Sequence, residues 1–333
     1  TVTPIASAVG SAVEAATTPI PGTIGPIDPE TGYPVWYGDA SGTRVELCLD
    51  DPVLCLFPAP DLGAPPRVPG NFPDEAFWWA AEASMTVNNV DALLVLAHEA
   101  AFANDVVAAG DQIAFTRVRI RITNLIAGRT YTVTHPYGTD LFVAEPVRVG
   151  STIGEINSTV DVGCGVVVPC DFARATGDGS STFLRWDPAV APAAPAGFLG
   201  DPTVEHPVVG SPTGNNLFRV AGFGLPGGAI TTNLFAVSGK EFVPRVGPNL
   251  VLDTTANTID FGRAELDVET VERDVRVRSD GDGNLTIGAV SLDAAATEFA
   301  IVSDGCSNAV LSPGSTCDVR VRFEPRSVSP PAV

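Results

Sequence analysis

Apolar and polar residues alternate along most of this chain in short runs, the period of strands with one face buried and one in solvent. Residues 44–49 alternate, with Val45, Leu47 and Leu49 set off by Arg44, Glu46 and Cys48. Over 111–123, Ile113, Phe115, Val118, Ile120 and Ile122 stand against Arg117, Arg119 and Arg121, which predicts an antiparallel strand with its arginines outward. Residues 131–134 follow Ala127-Gly128 at a hairpin-like spacing. Between 80 and 102, two runs flank Asn88-Asn89. The Ala and Leu content there suits a helix, but the Asn-Asn pair and the β-branched residues favour a second hairpin.

Turn residues organise these runs. The 33 glycines and 29 prolines are spread along the chain, many in turn-like positions, as in a chain of many short strands joined by tight loops. Three regions follow. Residues 1–22 form an N-terminal extended arm without an aromatic anchor. Val2, Ile5, Val9 and Val13 are its apolar positions, and their spacing fits a strand or a helix equally. Residues 23–245 read as a β-sandwich or jelly-roll-like domain, or two smaller ones. From Val246-Gly247-Pro248 a final module runs to 333, with strand candidates at 250–253, 258–262, 272–279, 285–292, 298–303 and 317–323. Short alternating strands at this spacing predict an immunoglobulin-like sandwich, so the expected fold class is all-β throughout.

Composition narrows the partners. With 45% hydrophobic and 17% charged residues over 333 positions, the chain is globular and long enough for two or three domains. Its 39 acidic and 19 basic residues give a formal net charge of −20, which repels a phosphate backbone and anionic lipid alike, so no nucleic acid is expected. No run of eighteen apolar residues exists to span a membrane. The first residues, Thr1-Val2-Thr3-Pro4, suit a mature protein whose signal peptide has been removed.

Six cysteines fall in three close pairs, Cys48 with Cys55, Cys164 with Cys170, and Cys306 with Cys317. Local disulfides in an oxidising compartment are favoured over free or metal-bound thiols, although six cysteines allow 15 connectivities. A secreted, extracellular or cell-surface location follows.

The last segment resembles the Hydin-like immunoglobulin modules known in bacterial surface proteins as choice-of-anchor repeats. The resemblance is carried by Ile259-Asp260-Phe261-Gly262, Val275-Arg276-Val277, Gly283-Asn284-Leu285-Thr286-Ile287, the stretch from Phe299 to Cys306, and the run from Leu311 to Pro325. It covers the C-terminal quarter only. It implies a scaffold or interaction module with a Cys306–Cys317 bond and no catalytic residues. The family continues past its Phe-x-Pro strand with a closing strand. Here eight residues follow Pro325, and they include Pro330 and Pro331, which cannot donate ladder hydrogen bonds. Either the native chain continues past Val333 or a strand from another molecule completes the fold. The arm offers such a strand by donor-strand addition. Burying Ile5, Val9 and Val13 would contribute about 5–9 kcal/mol before the cost of ordering them. Head-to-tail transfer of this kind builds an open homopolymer.

Catalytic chemistry leaves little trace. His98-Glu99 opens like the zinc-protease pattern, but Phe102 stands where the second histidine is needed. The residues from Ser279 to Asn284 read as a turn, because the closing Glu of a calcium loop is missing. Lys240 is the sole lysine and hence the sole isopeptide donor, so covalent polymerisation is not expected. No enzyme, metal site or cofactor is implied. Trp36, Tyr37, Trp78, Trp79 and Trp186 are candidates for a glycan-stacking platform or a subunit interface, against the alternative of core packing. Neighbours Trp78 and Trp79 should point to opposite faces of a strand. The expected function is a structural subunit of an extracellular filament or surface assembly, partnered by copies of itself. The alternative is a monomeric adhesin or carbohydrate-binding protein with a glycan as partner.

Overall fold

The computed structural model describes residues 23–61, 64–176, 182–243, 247–252, 259–265, 267–268, 270–281, 283–294 and 296–326. The arm with Val2, Ile5, Val9 and Val13 lies outside the described residues. The chain is all-β and divides into two units. The first holds the described residues up to Gly25 with Thr31–Pro60 and Phe72–Phe242; the second holds Pro26–Glu30, Asp61–Asn71 and the residues from Val243 on. The two early segments, Pro26–Glu30 and Asp61–Asn71, group by their contacts with the second unit.

In the first unit the strands are β1 (Thr23–Ile24), β2 (Trp36–Gly38), β3 (Arg44–Glu46), β4 (Ala76–Val87), β5 (Val90–Phe102), β6 (Gln112–Ile126), β7 (Thr130–His135), β8 (Gly138–Val143), β9 (Glu145–Pro146) and β10 (Ile153–Gly163). They continue as β11 (Arg185–Trp186), β12 (His206–Val209), β13 (Phe218–Gly222), β14 (Ala229–Thr232) and β15 (Leu234–Glu241). A large sheet runs in the order β1-β2-β3-β15-β4-β5-β6-β10-β9, with β12 also on β15 and β11 on β12; a smaller one runs β14-β13-β7-β8. Asn88 and Asn89 join β4 to β5 with φ of 49° and 70°, the left-handed pair that a two-residue hairpin turn demands.

Three sequence expectations are corrected here. β7 forms no hairpin with β6, because β5 and β10 already occupy both edges of β6; at Ala127-Gly128 the chain leaves for the smaller sheet, where β7 pairs with β8 and β13. Ile113 and Phe115 lie on the arginine face of β6, since the pairing with β5 runs without a break from Ala101–Ile113 to Ala97–Arg117. They are buried there because the Cys164–Cys170 loop packs over them. Trp78 and Trp79 are both 0% exposed. A β-bulge pairs Phe77 with Glu99 and Trp79 with His98, leaving Trp78 as the extra residue, so strict alternation fails at this point.

In the second unit the strands are β16 (Leu250–Leu252), β17 (Val271–Ser279), β18 (Leu285–Thr286), β19 (Phe299–Asp304), β20 (Val310–Leu311) and β21 (Thr316–Phe323). One sheet runs β16-β17-β21-β19; facing residues are contributed by the two-residue pair β18-β20. The expected strand at 258–262 makes no ladder over its described residues: Gly262, at φ 72°, donates its N–H to the Asp260 side chain and closes a tight turn. The strand expected at 285–292 ends after Thr286. All three local disulfides form: Cys48–Cys55, Cys164–Cys170 and Cys306–Cys317.

Candidate assembly interface

Alternation in β17 and β21 sends most of the charge to one face of the second unit and the apolar side chains to the other, with Arg273 the exception in the apolar row. On the charged face, residues directly opposite in register pair by sign: Glu272 with Arg322, Asp274 with Arg320, and Arg276 with Asp318, each at 2.8 Å. The Arg320 guanidinium holds the Asp274 carboxyl below its ordinary range. Arg276 also pairs with Glu30, and Arg278 with Asp28, which ties the early segment to this sheet.

On the apolar face, Val277, Leu285, Cys306, Leu311, Val319 and Val321 are buried. The residues around them are not sealed. Leu252, Phe261, Ile287, Leu292, Phe299 and Ile301 pack against that core while only partly buried. The cause is the brevity of β18 and β20, whose two-residue strands cannot cover a sheet of strands up to nine residues long. Phe261, Phe299 and Phe323 form a ring cluster with centroids 5.0–6.0 Å apart at the end where β21 finishes and β19 begins. Next in the chain, Glu324, Pro325 and Arg326 line a cleft of about 300 Å³ with Asp267, Val268 and Thr270. Glu298, which precedes Phe299, is 4% exposed; its Oε1 accepts from the Arg326 N–H at 2.8 Å, while Oε2 has no hydrogen-bond partner. Alternation set 259–262 and Glu298 inside candidate strands, but the ring cluster and the Glu298–Arg326 contact join residues distant in sequence, and a local pattern carries no signal for them.

The proposed aromatic platform does not exist as a surface. Trp78 donates to the Pro34 carbonyl at 3.1 Å and Trp79 to the Leu184 carbonyl at 3.0 Å, both from full burial. Tyr37 lies 3.9 Å from the His98 ring, and Trp186 stacks on His206 at 4.3 Å; both are buried. Only Trp36 is half-exposed, and Arg44 and Phe242 cover it at 4.3 and 5.9 Å. Large aromatic area is worth most inside a sandwich, which is where the fold has used it.

His98 and Glu99 turn to opposite faces of β5, so they share no site. His98 is buried without a partner at either ring nitrogen, and burial pushes its pKa down to about 3. Burial pushes Glu99 up to about 7, against the pull of Arg117 and with help from Glu75 and Asp161. Lys240 is held between Glu46 and Asp50, each at 2.7 Å.

No family model matches the chain, and no curated protein matches it. A solved structure, a protein of unknown function from Porphyromonas gingivalis W83, aligns at 12% identity over 63% of this chain and 75% of that chain. Its TM-score of 0.19 is too low to inform fold or function.

Proposed function

We propose that this protein is a secreted structural subunit of an extracellular filament or surface assembly, in which the N-terminal arm of one copy completes the C-terminal unit of the next. One observation carries the reading: the second unit leaves Phe261, Ile287, Leu292, Phe299 and Ile301 half-covered around a core closed by two-residue strands. A partially filled sandwich of this kind gains from an added strand with apolar residues on one face, and the arm supplies Ile5, Val9 and Val13. The likeness of 259–325 to Hydin-like modules supports the same view, since those modules serve as scaffolds. Three disulfides are in keeping with an oxidising compartment, and among the described residues no helix is long and apolar enough to cross a membrane.

Electron microscopy of the purified chain beside a variant lacking residues 1–20 tests the proposal. Filaments in the intact protein that vanish in the truncated one, and fail to grow when free arm peptide is added in excess, are the expected result. Monomers in both samples would overturn it. The adhesin alternative would need an exposed aromatic platform, and four of its five candidates, Tyr37, Trp78, Trp79 and Trp186, are buried.

A further inference from the structure

Among the described residues, most of the long strand β10 has a partner strand along one edge only. Residues 156–163 pair with β6 on one side, whereas on the other β9 reaches only Gly154 and Glu155. No other strand covers that edge among the described residues. Proteins usually blunt such edges with lysine, proline, a bulge or an inward-pointing charge. None occurs between Ile156 and Gly163, and the only irregularity lies before Ile156. The inward row is Ile156, Ser158, Val160 and Val162, and Val160 and Val162 are 55% and 37% exposed. The outward row is Asn157, Thr159 and Asp161, with Asp161 already neutralised by the Arg117 guanidinium at 2.7 and 2.8 Å. Beyond Gly163 the chain enters the Cys164–Cys170 loop, which displays Val166, Val167 and Val168 at 75%, 59% and 38% exposure. A disulfide-closed loop has little freedom left to lose on binding.

We infer that β10 pairs antiparallel with β10 of a second copy, across a two-fold axis perpendicular to the sheet at Thr159. Such an axis keeps inward rows together, because residues directly opposite share a face. With Thr159 opposite itself, Ile156 meets Val162, Ser158 meets Val160 and Asn157 meets Asp161, so no like charges oppose. Shifting the axis to Asp161 sets two carboxylates face to face. Shifting it to Ser158 brings Glu155 against Asp161, and shifting it to Val160 carries Ile156 past the end of the pairing. The interface is isologous and closes on itself. It is separate from head-to-tail growth through the arm and does not depend on it.

Cysteine cross-linking of the full-length chain tests the register. Under mild oxidation, Thr159→Cys is expected to give a covalent dimer on a non-reducing denaturing gel, whether or not filaments form, and Asn157→Cys is not. Adding Val160→Lys to Thr159→Cys places a charge on the inward edge and is expected to cut the dimer yield by about tenfold. Because Val160 is 55% exposed, this variant is expected to give the circular dichroism spectrum of the folded chain. The yield from Thr159→Cys is expected to rise with salt, because copies of net charge −20 repel each other. No dimer from Thr159→Cys, equal yield from Asn157→Cys, or indifference to Val160→Lys would overturn the pairing.

Discussion

The first unit pairs strands of eleven to fifteen residues through its centre and hides its largest side chains, Trp78, Trp79, Tyr33 and Tyr37 among them, at 0–1% exposure. The second unit covers strands of up to nine residues with a pair of two-residue strands, and much of its apolar face stays partly wet. Both obey the same alternation, so the difference is one of coverage. A sheet seals its core only when the layer facing it is as long as the sheet. The first unit is closed enough to hold an uncharged histidine without hydrogen-bond partners; the second carries most of its strand charges on an exposed cross-strand ladder and buries Glu298 at one end.

The sharpest break of this contrast is a tryptophan truncation. Trp79→Ala should cost about 4 kcal/mol in the first unit, read as the denaturant midpoint, because a sealed core cannot collapse around the void. Phe299→Ala in the half-covered second unit should cost clearly less in the monomer. Equal losses would erase the distinction. Next in size, replacing Cys306 and Cys317 together by serine should cost about 2–3 kcal/mol and split the thermal transition, with the second unit melting first.

Acid and base should separate two buried groups of the first unit. Glu99, with its pKa raised to about 7, contributes stability that is complete below the unfolded value of about 4.5 and is lost as the pH rises through 7. Glu99→Gln should therefore recover about 2 kcal/mol at pH 8 relative to pH 4.5. His98, with its pKa lowered to about 3, acts in the opposite sense: stability is lost as the pH falls from about 6.5 toward 3. His98→Leu should flatten that acid limb, and urea titrations across pH would show each limb disappear with its own substitution. The smallest effect belongs to the second unit's ladder, where Arg320→Ala should leave the denaturation midpoint within error, as exposed pairs do.

Much of this was legible in the residues. Period-two runs gave the all-β class, Asn88-Asn89 gave its hairpin, and cysteine spacing gave three local bonds. What escaped depends on other parts of the chain. The crossover after β6 is decided by the fact that β5 and β10 already hold both of its edges. Burial of both Trp78 and Trp79 needs a bulge that period-two alternation cannot announce. The ion pair of Arg278 with Asp28 joins positions 250 residues apart, and no local pattern carries such a contact. The cleft lined by Glu324, Pro325 and Arg326 had no local signal either.

The order of signs along the ladder of β17 and β21 has a consequence for how the second unit finds itself. Reading along β17 the charges run minus, minus, plus at 272, 274 and 276, and their partners on β21 run plus, plus, minus. Slide one strand by two residues, the smallest slip that keeps every side chain on its face, and Asp274 meets Asp318. Slide it the other way and Arg276 meets Arg320. The three pairs add little to the depth of the native well, yet they work as a combination lock: the neighbouring misalignments are the ones that refuse to close.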